Sequence, residues 1–155
     1  MVTEVLVVYL HYAAMTLIAV FLAIEYLTCV PGLAREKVKL LARIDLLYLI
    51  AALLALATGA ARLVWFGKGP GFYLHNPVFY LKLALFVAVG LISIPPTMQY
   101  LRWMRLFKTE RAAMAADFEV LRARRYVLAQ LVLFAFIPLL AVLMGRGMGI
   151  QTPAN

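Results

Sequence analysis

Four runs of roughly twenty residues, almost free of charge, divide this chain and constrain its fold more than anything else in it. A helix needs about 20 mostly apolar residues to cross the hydrocarbon core of a bilayer. The runs extend from about Val5 to Val30, Ile44 to Phe66, Val78 to Leu101 and Tyr126 to Met144. Pro31-Gly32, the glycine-rich GKGPG, Pro77 and the GRGMG stretch punctuate their ends. None of the runs alternates with the period of two that a membrane β-barrel strand requires, so helices must satisfy the backbone in lipid. The expected fold is all-α: an integral-membrane four-helix bundle over 1–145, followed by a flexible tail at 146–155. Composition agrees. Of 155 residues, 66% are apolar and 14% charged, whereas a soluble domain sits near half and a quarter.

The net charge of +8 would suit a nucleic-acid partner if the basic residues formed one patch. They sort by position instead. Eleven of the fifteen lie in two segments, Pro31–Arg43 and Arg102–Arg125. Cytoplasmic loops carry such an excess of Lys and Arg. Both basic segments are therefore expected inside, both termini outside, and the setting to be a bacterial inner membrane. Nucleic acid is excluded as a partner. Membrane lipids are expected, anionic ones at the basic loops, and homo-oligomerisation stays open. The N-terminus has Glu4 and no basic residue, unlike a signal peptide, so the first span is read as permanent. Cys29 is the single cysteine, which leaves no disulfide or thiol pair within the chain.

The segment TERAAMAADFEVLRARR between spans three and four is Ala-rich with charges of both signs, and reads as partly helical. Tyr9, Tyr12, Trp65, Phe66, Phe72, Tyr73, Phe79 and Tyr80 are expected at the outer interface. Tyr26, Tyr48, Tyr100, Trp103 and Tyr126 are expected at the inner one, where amphipathic rings are favoured. Pro95-Pro96 and Pro138 should bend spans three and four.

Ionisable residues inside spans are costly and are functional candidates by default. His11, Arg62 and Lys82 fall on three different spans at similar depth below the outer end, with His75 on the loop above them. His11, Met15, Ile18, Leu22 and Glu25 share one helical face, as do Lys82, Phe86, Val89 and Ser93. Both stripes are expected to face the bundle interior. At the inner end Glu25, Asp45, Gln99, Arg102 and Arg125 read as an interfacial ring of salt bridges. A neutral imidazole offers a lone pair to iron, and lysine or arginine can bind the carboxylates of a haem. His11 is thus a candidate axial and metal ligand. Lys82 is a candidate second ligand, propionate partner or proton donor, Arg62 an anion clamp, and His75 a further cofactor contact. Metal-ligand clusters, phosphate loops and nucleophile triads are absent from the sequence. GKGPG lacks the spacing of a phosphate-binding loop.

The stretches LHYAAMTLIAVFLAIEY, DLLYLIAALLALATGAARLVWFGKGPGFYLHNPVFYLKLALF and SIPPTMQYLRWMR resemble a family of bacterial integral-membrane proteins defined only as a domain of unknown function. More distantly the layout is similar to the HemJ-type protoporphyrinogen oxidases and the CopD-like copper-resistance membrane proteins. In the HemJ-type group a histidine on the first span and a lysine on the third are the functional pair, with haem b implied. His11 and Lys82 match those positions, and Thr58-Gly59 also resembles that group. After the first span that pattern continues with Leu-Pro-Arg and another histidine, where this chain has YLTCVPGLARE. The resemblance thus implies a haem- or porphyrin-binding membrane protein with a redox role. The alternatives are a non-catalytic membrane scaffold or assembly partner, and a small ion or solute transporter.

Overall fold

The computed structural model describes residues 1–66, 69–109 and 115–149. Every regular element among them is helical: α1 (Val2–Thr28), α2 (Arg35–Ala61), α3 (Pro70–Leu74), α4 (Pro77–Lys108) and α5 (Asp117–Gly145). A five-residue π-helical turn, Arg62–Phe66, prolongs α2. Four of these helices are long and apolar enough to cross a membrane.

Three of the long helices, α2, α4 and α5, run past the apolar stretch that announced them. α2 starts at Arg35, nine residues before Ile44, and α5 starts at Asp117, nine before Tyr126. The extensions are the basic segments. They carry strong helix formers and an acid in the first turn, Glu36 in α2 and Asp117 with Glu119 in α5, which suits the positive end of a helix dipole. A hydropathy window finds only the lipid-crossing part of a helix, and polar turns beyond it leave no apolar signal. The inner loop is accordingly helical from Asp117 on, as a prolongation of the fourth span. Residues 110–114 of that loop and 67–68 of GKGPG lie outside the described residues. Pro95, Pro96 and Pro138 stand inside unbroken helices.

Packing is concentrated away from the end of the bundle that carries His11 and Lys82. One core cluster joins Ala14, Ile18 and Leu22 of α1 to Tyr48, Ala51 and Ala55 of α2, with Val89, Val127, Phe134 and Ile137 from the other pair. A second lies at the basic end, where Cys29, Leu33, Val38 and Leu41 meet Tyr100, Trp103, Phe107, Val120 and Ala123. Backbone ties close this end: Ala115 N–H donates to Leu33 O at 3.3 Å, and Gly32 N–H donates to Asp117 Oδ1 at 3.0 Å. Above Ala14 on α1 and Val89 on α4 no residue of those helices is fully buried. The bundle is closed at its basic end and thinly packed at the other.

Two expectations about the inner end are corrected. Tyr48, Tyr100 and Trp103 do not form an interfacial belt but are buried in the bundle, Trp103 at 1% exposure. The indole has a partner there, since Trp103 Nε1 donates to Glu119 Oε2 at 2.9 Å. The ring of salt bridges is also absent among the described residues. Arg102 Nη1 reaches Glu119 Oε1 at 3.1 Å and Gln99 Nε2 donates to Glu119 Oε2 at 2.9 Å. Glu25 and Asp45 pair with no cation. Glu119, which the sequence did not single out, is the acid that ties α4 to α5. The expected tail is described as far as Gly149, and its first residues touch the loop before α4, where Asn76 Nδ2 donates to Met148 O at 3.1 Å.

Trp103→Ala removes a buried ring together with its bond to Glu119. We expect a loss of about 3–5 kcal/mol, measured by thermal unfolding in detergent. The lipid-facing Leu91→Ala, truncating a side chain that is 61% exposed, should shift the transition little.

Candidate functional site

His11 lies on the inward face of α1, half-buried, with Ile18, Leu22 and Glu25 fully buried below it on the same stripe. Its Nδ1 is 3.1 Å from Ala55 O and 3.0 Å from Thr58 Oγ1. A carbonyl oxygen only accepts, so Nδ1 bears the proton. Thr58 has already used its own hydrogen, donating to Leu54 O at 2.6 Å, and presents a lone pair to the same N–H. The neutral ring therefore keeps its lone pair on Nε2. This is the arrangement by which a second contact orients a metal-ligating histidine. α2 makes room for it through Gly59, where an added Cβ would stand 3.3 Å from His11 Cε1. Thr58 and Gly59 thus act together, one as acceptor and one as clearance.

Arg62 follows one turn later, at the first residue of the π-helical turn. Such turns are rare and concentrate at functional sites. Its guanidinium carbon is 5.6 Å from the centre of the Tyr12 ring, and its Nε is buried without a hydrogen-bond partner. Lys82 on α4 is half-buried, with Nζ 5.8 Å from the centre of the Phe79 ring. Both cations lie within electrostatic range of His11. None of them is ion-paired with a carboxylate among the described residues. His75 is held elsewhere. It is exposed at the end of α3, with Nδ1 2.8 Å from Gly71 O of its own helix.

The donor set is one imidazole nitrogen and two cations, without an acid. That chemistry is complementary to an anionic group. Among the described residues no three His, Cys, Asp or Glu side chains gather as a group that could hold a bare metal ion.

The model of the predicted membrane protein family DUF2214 matches residues 3–149. The chain belongs to this family. No curated protein and no solved structure matches it. A membrane protein with four candidate spans agrees with the family description.

With two histidines in the chain, the ring state is directly measurable. Nitrogen-15 NMR of the protein in lipid, with His75→Gln to remove overlap, should show His11 protonated at Nδ1 and bare at Nε2. Thr58→Val should weaken that preference and broaden the signal.

Proposed function

We propose that this family member binds an anionic, membrane-embedded prosthetic group at the His11–Arg62–Lys82 layer, with haem b as the group that fits best. The observation carrying this reading is the anchoring of His11 Nδ1 by Ala55 O and Thr58 Oγ1, which leaves Nε2 free beside two cations that lack acid partners. His11 would ligate the iron. Arg62 and Lys82 would pair with the propionates, Lys82 remaining the candidate for a second ligand or a proton donor. A bound haem would supply one-electron chemistry. Thin packing at this end supports the reading, since a cofactor can complete a core that side chains leave open. The resemblance of His11 and Lys82 to the functional pair of the HemJ-type oxidases points the same way. A second axial nitrogen from His75 would require α3 to release its contact with Gly71.

The reading extends to location: a bacterial inner-membrane protein with both termini outside and the basic segments against anionic lipid. An even number of candidate spans and the clustering of basic residues at one end support it. Alkaline phosphatase fused after Gly149 should be active and a fluorescent-protein fusion at the same point dark. The reverse pattern overturns the orientation.

Protein purified in detergent from haem-supplied cells should show a Soret band. His11→Ala should abolish it, and a Lys82→Met, Arg62→Gln double variant should lower haem occupancy by about tenfold if the two contacts are together worth about 1.4 kcal/mol. A colourless wild type under these conditions overturns the haem reading and favours the scaffold alternative.

A further inference from the structure

A second polar site lies deeper, toward the basic end, and the proposed cofactor does not involve it. Glu25 of α1 is the most enclosed carboxylate among the described residues, 1% exposed, and its Oε1 has no hydrogen-bond partner. Asp45 of α2 is buried as well, and its Oδ1 accepts from Thr97 Oγ1 of α4 at 2.8 Å. The two carboxylates lie within electrostatic range of each other. Neither has an ion-pair partner among the described residues.

The groups around them are polar and titratable but not cationic. Tyr48 of α2 feels both carboxylates and is turned toward Ser93 of α4. Tyr100 of α4 is fully enclosed and also feels both, and its hydroxyl lies close to Cys29 Sγ without the alignment of a hydrogen bond, so it too lacks a partner. Cys29 of α1 directs its thiol to Val120 O of α5 at 3.5 Å. From α5 the cation that reaches this neighbourhood is Arg124. It acts on Cys29, but its guanidinium sits over the Tyr26 ring, 4.3 Å from the centre, and meets neither acid.

Two like charges in a low-dielectric interior repel strongly, and a buried charge without a partner is costly. Side chains supply no countercharge here, so it must come from a mobile cation. A metal ion wants a fuller ligand set, and among the described residues no group of three acidic, histidine or cysteine side chains is gathered. A proton needs only a carboxylate oxygen and a neighbour to bond. The bare Glu25 Oε1 provides that oxygen, and Asp45 Oδ1 already accepts from Thr97 Oγ1.

We propose that Glu25 and Asp45 form a buried proton-binding pair spanning α1 and α2, with Thr97 of α4 holding Asp45 by a hydrogen bond. One proton leaves the pair with a single negative charge, and a second leaves it neutral. The site takes up an exchangeable proton inside the membrane and is independent of whether the outer layer binds haem.

Infrared spectra of the whole protein in lipid vesicles test this. At neutral pH they should show a protonated-carboxyl C=O band that shifts in D₂O. Glu25→Gln and Asp45→Asn should each remove or displace it, and exchanging sodium for an organic cation should leave it unchanged. A second measurement needs no variant. Dicyclohexylcarbodiimide attacks protonated carboxyls in membranes, so peptide mapping by mass spectrometry should find wild-type adducts on Glu25 or Asp45 that are lost at alkaline pH. Absence of both the band and the adducts overturns the proposal. A band that disappears when sodium is added also overturns it, because the pair would then be a metal-cation site.

Discussion

Hydrocarbon offers no hydrogen bonds. Every polar group that enters the membrane must find a partner within the protein, and the whole structure follows from that requirement. The backbone meets it by forming helices. Side chains meet it by facing inward, which is why His11, Glu25 and Asp45 lie on buried or half-buried faces while leucines such as Leu53 and Leu91 face outward. Where a partner is found the result is a tie between helices. Glu119 accepts from Gln99, Arg102 and Trp103, and so fixes α5 against α4.

Where no partner is found, the structure has a deficit of definite sign. Among the described residues, the layer of His11, Arg62 and Lys82 has cations and no paired acid, and the layer of Glu25 and Asp45 has acids and no paired cation. The two are separated by the apolar core of Ala14, Ile18, Leu22, Ala51 and Val89, too much packing for one layer to neutralise the other. Under the two proposals an anion would neutralise the one and a proton the other. The unequal packing of the two ends matches this division. Glu25 and Asp45 are buried, while His11 and Lys82 lie where close packing has thinned.

The four spans were legible because length and apolarity are local properties that survive without knowledge of neighbours. The stripe His11, Met15, Ile18, Leu22, Glu25 was legible because helical periodicity alone decides which residues share a face. The expectation that His11, Arg62 and Lys82 share a depth came only from counting residues from the span ends. The inner layer was misread because its charges balance as a list, and nothing local says which acid turns toward which base. Glu119 took Arg102 because both lie on the α4–α5 seam. Glu25 and Asp45 are buried on α1 and α2, with no ion pair to a cation among the described residues. Trp103 and Tyr100 were misread for a similar reason: an aromatic near a span end suits a headgroup belt or a core equally well.

The sequence by itself thus determined the class of fold, the number of spans, the clustering of basic residues and the inward face of α1, all of which depend on spacing along one helix. Only the tertiary structure decided that Thr58 and Gly59 seat the His11 ring, that Arg62 opens a π-helical turn beside it, and that two carboxylates are enclosed together without a cation. Those outcomes depend on how each helix is rotated about its axis and how closely it approaches its neighbours. That rotation is set by the packing of all the helices at once, and no segment carries it alone.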